Sequence, residues 1–183
     1  MKQQAGSKQA DELVSYPVQF RRTAKTSKAG RGFKISTLSV CGNENGKIGI
    51  GLGGAQEVPD SVKKSTQDAK ANMVQTSLNN TTVYHRITAY YGATKLIIKP
   101  ASRGSGIIAG GALRQFFSAM GVSDISVKCI GSTNPVNVLR AAMKAIQQIH
   151  KPSYYAAKRG ISVSEVINGA SVSRISEVQN HDE

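Results

Sequence analysis

The fold of the second half of this chain is decided by residues 99–114, KPASRGSGIIAGGALR. The stretch is rich in glycine, carries several cations and contains no acid. Its Gly104-Ser105-Gly106 turn precedes an apolar run that predicts a helix from about Ala109. A glycine-rich turn ahead of a helix N-terminus points backbone N–H groups and the positive end of the helix dipole outward. The sequence therefore predicts an anion site here, and phosphate is the usual ligand of such sites.

The residues on either side of this stretch complete a second module. Upstream, residues 82–90 and 94–99 have the composition of strands, and downstream residues 125–130 form another. The helix that starts near Ala109 ends at Gly121, and a second helix over 134–150 begins with Asn134 as N-cap and Pro135 at its first position. The pattern predicts a strand–strand–helix–strand–helix sandwich with antiparallel pairing.

The first module has a simpler pattern. Residues 18–24, 33–40 and 47–52 are predicted strands, and the Asn45-Gly46 pair between the last two is a strong hairpin signal. A helix follows over 59–78, with Val62, Ala69 and Met73 on its predicted buried face. The first module is therefore predicted as a three-stranded antiparallel sheet with one helix packed on it, and the whole chain as α+β.

Composition breaks suggest how the 183 residues are divided. Residues 1–14 are polar and predict a disordered tail. The Asn79-Asn80 break separates a first domain over 15–79 from a second domain over 80–151. Residues 152–183 are predicted to form a helical tail with a frayed C-terminus.

The compartment is predicted from what the sequence does and does not contain. No apolar run approaches the roughly 18 residues needed to span a bilayer, and the first residues have no apolar leader core. Cys41 and Cys129 lie in apolar, strand-like runs and are interpreted as buried, reduced thiols. We therefore expect the protein to stay in the compartment where it is made, which is predicted to be the cytoplasm, with an organelle as the alternative.

The formal net charge is +13 and the sequence pI is about 10.0. Residues 1–34 carry eight Lys and Arg against two acids, and residues 81–150 carry eight against Asp124 alone. The blocks over 35–80 and 151–183 are neutral. Such an excess favours binding to nucleic acid or an anionic membrane, and its distribution suggests two modules that each have a basic face.

The strongest electrostatic signal is a run of six cations without an acid over residues 21–34. These residues are Arg21, Arg22, Lys25, Lys28, Arg31 and Lys34. The plain alternative is a solvated face, but so many like charges repel each other strongly unless an anion binds them. Phosphate would position such a loop. Phe20 and Phe33 could stack on bases, although packing in the core is the favoured interpretation for both.

Gly49, Gly51 and Gly54 match the spacing G-x-G-x-x-G of dinucleotide-binding turns. That motif needs a helix that opens inside it, whereas here the glycines alternate with Ile50 and Leu52, as in a strand. A glycine face on a strand lets another backbone approach closely. That backbone could belong to the module's own helix or to RNA.

A nucleotide enzyme is the main alternative for the second module, because glycine-rich loops also hold ATP in small-molecule kinases of similar fold. A kinase needs carboxylates for metal binding and base catalysis, and Asp124 is the only acid in residues 81–150. The three histidines, His85, His150 and His181, lack the spacing of a metal site. We therefore predict no enzyme activity, no cofactor, no metal and no small-molecule substrate.

Four stretches of the chain resemble a known family. They are NENGKIGIGLGGAQEVP over 43–59, KPASRGSGIIAGGALR over 99–114, GSTNPVNVLRA over 131–141 and AAKRGISVSEV over 156–166. Together they are similar to bacterial small-subunit ribosomal protein five, the S-five family, over about residues 14–169.

The resemblance implies an α+β fold of two parts. The first is a double-stranded-RNA-binding-like domain with a three-stranded sheet and one helix. The second is a two-layer β-α-β-α domain with a left-handed crossover. It also implies a structural constituent of the small ribosomal subunit that binds 16S-type rRNA beside the decoding region and the channel through which mRNA enters. Such a protein contacts ribosomal proteins S-four and S-eight and contributes to subunit assembly and translational accuracy.

The resemblance also assigns residues. The family's basic hairpin loop, near the RNA neck and the spectinomycin pocket, maps to residues 23–31. The predicted rRNA-binding residues are Arg21, Arg22, Lys25, Thr26, Lys28, Arg31, Lys34 and Lys47. The predicted protein-interface and accuracy residues are Arg103, Gly104, Gly106 and Arg114. The chain departs from the family at Ala29, where glycine is usual, at Gly54 and Gln56, where Lys and Arg are common, and at Arg103, where an acid is frequent.

Overall fold

The computed structural model describes residues 13–169, which contain two four-stranded sheets and five helices. The predicted N-terminal tail lies outside the described residues, apart from Leu13 and Val14, where the first strand begins. The predicted frayed segment over 170–183 also lies outside them. The α+β class is confirmed, and each predicted strand is present with changed ends.

The first sheet has the order β1-β2-β3-β4 and is antiparallel throughout. Its strands are β1 (Val14–Ser27), β2 (Gly30–Gly42), β3 (Lys47–Ala55) and β4 (Val74–Gln75). Helix α1 spans Val58–Ala71 and ends earlier than predicted, because the chain turns at Asn72 to add β4 to the sheet edge. A two-residue strand has no periodicity of its own, so the sequence predicts three strands here where the structure has four.

Helix α1 packs on this sheet through a face that contains Ala69, as predicted, but neither Val62 nor Met73. Its buried residues are Ser61, Ser65 and Ala69, whereas Val62 and Met73 are only half-buried. Small side chains face the sheet because the helix backbone lies very close to β3.

The close approach comes from alternate glycines of β3. A Cβ atom at Gly51 would collide with the backbone of Ser65. Cβ atoms at Gly49 and Gly53 would likewise collide with the α1 backbone, one helical turn after and one turn before Ser65. Two hydroxyl pairs close the contact on the β2 side: Thr37 with Ser61, and Ser39 with Ser65 at 2.7 Å between oxygens. The glycine face therefore serves the module's own helix.

The second sheet has the order β5-β6-β8-β7. Its strands are β5 (Ile87–Tyr91), β6 (Thr94–Pro100), β7 (Ile107–Ile108) and β8 (Ile125–Gly131), with α2 (Gly111–Met120) between the last two and α3 (Pro135–Gln147) after them. The prediction of antiparallel pairing alone is wrong at one edge, since β7 and β8 are parallel. Helix α2 carries the chain back along the sheet, so β8 runs in the same direction as β7.

Two of the predicted helix ends of this module are confirmed, whereas α2 starts at Gly111 rather than at Ala109 and one further end differs. Gly121 ends α2 in the left-handed conformation, with φ of 87°. The Asn134 side chain accepts a hydrogen bond from the N–H of Val136, and Pro135 occupies the first turn of α3. The further difference is the end of α3, which lies at Gln147 rather than at His150.

The two sheets share one hydrophobic core. Leu38, Val40 and Ile48 of the first sheet belong to the same buried cluster as Phe117 and Met120 of α2. The β2–β3 turn adds polar contacts: the N–H of Glu44 donates to the carbonyl of Ala119, and the N–H of Gly46 to that of Met120, both at 3.0 Å. These bonds satisfy carbonyl groups that a helix C-terminus leaves free.

Two short helices, α4 (Pro152–Arg159) and α5 (Val163–Asn168), end the described chain. Aromatic rings attach α4 to the second module. The Tyr154 ring lies 4.4 Å from the His150 ring, and the Tyr155 ring lies 5.9 Å from the His85 ring, between centroids.

Candidate nucleic-acid interface

The first two strands continue beyond the rest of their sheet. Strand β3 ends at Ala55, which pairs with Ile35, whereas β1 and β2 remain paired as far as Ser27 and Gly30. Residues 23–34 therefore project as a two-stranded hairpin, with Arg21 and Arg22 at its base. We call residues 21–34 the basic ribbon. Every residue of the ribbon is exposed.

The six cations of the ribbon are divided between its two faces. Strand alternation and register place Arg21, Lys25 and Lys34 on one face and Arg22 and Arg31 on the other, with Lys28 in the turn. None of the six is within ion-pair distance of a carboxylate in the part of the chain that the structure describes. Thr26 lies opposite Arg31. The ribbon therefore presents uncompensated positive charge in every direction.

The prediction that Phe20 and Phe33 pack in the core is wrong. Phe20 is 50% exposed and Phe33 is 44% exposed. Phe33 belongs to the exposed ribbon, and Phe20 directly precedes it. The Arg22 guanidinium lies 4.0 Å from the centre of the Phe33 ring, and the Arg31 guanidinium lies 5.5 Å from it. Cation–π attraction holds the three side chains together, so the ribbon combines a flat aromatic surface with two cations.

Lys47 is separated from the other predicted RNA-binding residues. It is the first residue of β3, at the opposite end of the sheet from the ribbon, and it is half-buried. Its N–H donates to Asn43 Oδ1 at 2.9 Å.

The glycine-rich turn of the second module already contains an anion. The N–H groups of Gly104 and Gly106 both donate to Asp124 Oδ1, at 2.9 and 3.0 Å. The turn is also followed by β7 and not directly by a helix, since α2 begins at Gly111 with Gly110 as its N-cap. The predicted phosphate site is therefore wrong: a carboxylate of the chain itself takes the place of the phosphate.

Asp124 is almost fully buried, with 5% of its surface exposed. Hydrogen bonds from the Gly106 N–H, the Thr81 side chain and the Gly104 N–H hold the pKa of Asp124 below its usual value, helped by the positive charge of Arg103. The sequence contained a signal for this role, because Asp124 is the only acid in residues 81–150.

Of the four residues predicted at a protein interface, the structure brings Gly106 and Arg114 together at one concavity. Arg103, Gly104 and Arg114 are exposed, and Gly106 is half-buried. Gly106 and Arg114 line an open concavity of about 650 Å³ that also includes the exposed side chain of Ile108. Gly106 has φ of 70°, and a Cβ atom added there would have no neighbour within 4 Å. The backbone conformation, and not a close approach within the chain, therefore requires glycine at this position.

The other chemical alternatives find no support in the described residues. The G-x-G-x-x-G match lies within β3 and against α1, so it holds no dinucleotide. Cys41 and Cys129 are free thiols whose pKa is raised by burial. Between residues 13 and 169 there is no group of three or more His, Cys, Asp or Glu that could bind a metal ion. None of the helices described is long and apolar enough to cross a membrane.

These features define a class of protein: a basic α+β protein of two sheet-and-helix modules that displays a cationic hairpin. Comparison with known families then specifies the class. The family model for the N-terminal domain of ribosomal protein S5 matches residues 13–77, and the model for its C-terminal domain matches residues 89–159. The chain belongs to the ribosomal protein S5 family, the S-five family of the resemblance.

Curated relatives agree with this assignment, and all three that follow are named small ribosomal subunit protein uS5. The protein of Legionella pneumophila strain Corby is 50% identical over 152 residues, which cover 83% of this chain and 90% of that protein. The Coxiella burnetii protein is 44% identical over 157 residues, which cover 86% of this chain and 94% of that protein. The Nitrosococcus oceani protein is 45% identical over 159 residues, which cover 87% of this chain and 94% of that protein. The S5 family is structural and non-enzymatic, so the kinase alternative is wrong.

Proposed function

We propose that this chain binds small-subunit rRNA through the basic ribbon. Its coarser role follows from its family: it is a structural protein of the small ribosomal subunit and associates with rRNA there. The proposal adds which residues make the contact. They are the cations of the ribbon with Thr26, whereas Lys47 would meet RNA at a separate place.

A single observation carries the proposal, namely six exposed cations on a projecting hairpin that has no carboxylate partner in the described chain. A two-stranded ribbon of this kind can enter a groove or follow a strand of RNA. Its cations would bind phosphates, which fixes position but carries no sequence information. The exposed Phe33 between two guanidiniums supplies a stacking surface for an unpaired base.

The surroundings of the ribbon are proposed from the family resemblance. The ribbon would lie beside the decoding region and the channel through which mRNA enters, and the protein would contribute to subunit assembly in the cytoplasm. S-four and S-eight would be its protein neighbours. The surface formed by Arg103, Gly104, Gly106 and Arg114 would contact S-four and influence translational accuracy. The exposed Arg114 guanidinium supports this, since it can form a forked pair with a carboxylate of a partner.

The test is the salt dependence of binding to small-subunit rRNA. Replacing Lys25, Lys28 and Arg31 with Ala removes three phosphate partners and should reduce the slope of log affinity against log salt by about 2 to 3. The control replaces Lys64, Lys70 and Lys158, which are also exposed, and should retain the wild-type slope. Equal slopes for wild type, ribbon variant and control would show that the ribbon is only a solvated face.

A further inference from the structure

Among the described residues, the helices cover the second sheet on one side only. Leu96, Ile98 and Val127 are buried on the side that packs against α2 and α3. The alternate residues of the same strands point to the other side, where Tyr90 is 58% exposed and Ile130 is 47% exposed. We call this second side the open face. It is formed chiefly by Tyr90, Lys95, Ile97, Lys99, Lys128 and Ile130.

Strand register arranges these side chains in rows across the sheet. Tyr90, Lys95 and Ile130 lie side by side in one row, Ile97 and Lys128 share the next, and Lys99 pairs with Ser126 in the third. Each row thus contains one lysine, and successive rows on one face are about 6.7 Å apart along the strands. The Lys95 ammonium lies 5.5 Å from the centre of the Tyr90 ring.

Within residues 13–169, no acid balances the charge on this face. Asp124, the only acid in residues 81–150, is buried and bonded to the Gly104–Gly106 turn. Lys95, Lys99 and Lys128 have no ion-pair partner among residues 13–169. The second basic block of the sequence is thus partly concentrated on one sheet face, away from the ribbon.

The spacing of the lysines indicates which polyanion fits. One cation per row repeats regularly, and the matching ligand is a polymer with a regularly repeated anion. The face also offers the exposed ring of Tyr90, on which a base can stack only if it is unpaired. An extended acidic segment could match both the charge and the repeat, because its alternate side chains are also about 6.7 Å apart. It offers no base to the exposed Tyr90 ring, and this ring is the feature that favours RNA.

We propose that the open face is a second RNA-binding surface, which holds an unpaired RNA segment with one base on Tyr90 and phosphates on Lys95, Lys128 and Lys99. The proposal rests on the proposed function, because it assumes that the chain binds RNA. It extends that function by giving the second module its own ligand. This ligand is single-stranded RNA, whereas the RNA bound by the ribbon can be a duplex.

The experiment measures binding of a short labelled oligouridine to the full chain by fluorescence anisotropy. Tyr90→Ala should weaken binding about tenfold through loss of one stacked base, whereas Tyr90→Phe should retain it. Replacing Lys95, Lys99 and Lys128 with Gln should lower the salt slope by about 2. The matched control replaces Lys64, Lys70 and Lys158 with Gln and should retain the wild-type slope. Ultraviolet crosslinking of the oligouridine should label the peptide that contains Tyr90.

The outcomes separate this inference from the proposed function. If the ribbon variant loses rRNA binding while the open-face variants bind oligouridine like the wild type, the open-face proposal is overturned and the ribbon proposal stands. If the open-face variants keep oligouridine affinity but no longer associate with small subunits, the face binds a protein and the proposal is also overturned. Thermal melting shows that each variant is folded, which is expected because Tyr90, Lys99 and Lys128 are exposed.

Discussion

At the residue scale, a single carboxylate fixes the most glycine-rich turn of the chain. Asp124 accepts hydrogen bonds from the N–H groups of both Gly104 and Gly106 through one oxygen. Successive backbone N–H groups in such a turn form a concave site for an anion. Because the chain supplies that anion internally, the turn is rigid without a ligand, and its outer surface is free for a partner.

Replacing Asp124 with Asn should lower the melting temperature at neutral pH, because the amide keeps one acceptor but loses the negative charge. The folded pKa of Asp124 is lowered, so its contribution is complete above the unfolded value of about 3.9 and is lost as pH falls through the folded pKa. The difference between wild type and variant should therefore be constant from pH 7 to about pH 5 and should shrink below about pH 4. A difference that stays constant into strong acid would contradict this account.

A second prediction for a single residue concerns Arg114, whose side chain is predicted to contact a partner and not to stabilise the fold. Arg114→Ala should change the free energy of unfolding by no more than about 0.5 kcal/mol, because the side chain is exposed. Ribosomes that contain the variant should show altered stop-codon readthrough and misincorporation. Arg114→Lys serves as the control for charge, since it keeps the cation but loses the forked geometry. If ribosomes with the Ala variant assemble normally and show wild-type error rates, Arg114 has no role in translational accuracy.

At the scale of elements, the contact between β3 and α1 depends on the absence of side chains. Gly49, Gly51 and Gly53 let the helix backbone lie against the strand, and the hydroxyls of Ser61 and Ser65 bond to β2. This is an unusual core for a helix, since the face that packs is small and polar.

The contact predicts that two glycines of β3, Gly51 and Gly54, respond very differently to an added methyl group. Gly51→Ala should destabilise the protein by about 2 to 3 kcal/mol, because the added carbon has no space beside the backbone of Ser65. Gly54→Ala should change stability by only about 0.5 kcal/mol or less, because its Cβ meets nothing closer than the Ile35 carbonyl at 4.0 Å. Urea denaturation of both variants measures the two values, and similar values would rule out the close approach.

The sequence predicts the ends of those elements that are set by one or two residues, such as a turn pair or a helix cap. Asn45-Gly46 predicts the β2–β3 hairpin, and Asn134-Pro135 predicts the start of α3. The buried face of α1 follows only in part from the sequence. Ala69 is buried as predicted, but helical periodicity also favours Val62 and Met73 and does not report a glycine strand opposite. The prediction for Phe33 fails for a similar reason: its apolar character says nothing about whether another element covers the hairpin.

The candidate site is predictable to the extent that it depends on charge. The six cations of the ribbon are close together in sequence, so their shared surface follows from the hairpin. Asp124 is about twenty residues from the turn that it holds, and Tyr90 meets Lys95 and Ile130 only through strand register. Such contacts require the tertiary structure.

For the whole molecule, the two sheets are expected to unfold together, because one core cluster includes residues of both. Phe117→Ala in α2 should cost about 3 to 5 kcal/mol and should accelerate hydrogen exchange in β2 and β8 by the same factor. Leu52→Ala is the control, since that side chain is 41% exposed and should have a small effect. Faster exchange confined to β8 would show that the two modules are separate folding units.

We propose that rRNA contacts of the ribbon hold this chain in the small ribosomal subunit. The most direct measurement is co-sedimentation of the tagged chain with small ribosomal subunits in a high-salt gradient. The wild type should remain in the small-subunit peak, and the variant with Lys25, Lys28 and Arg31 replaced by Ala should leave it at lower salt. A folded wild-type chain that sediments as free protein, or a ribbon variant that is retained equally well at every salt concentration, would contradict the account.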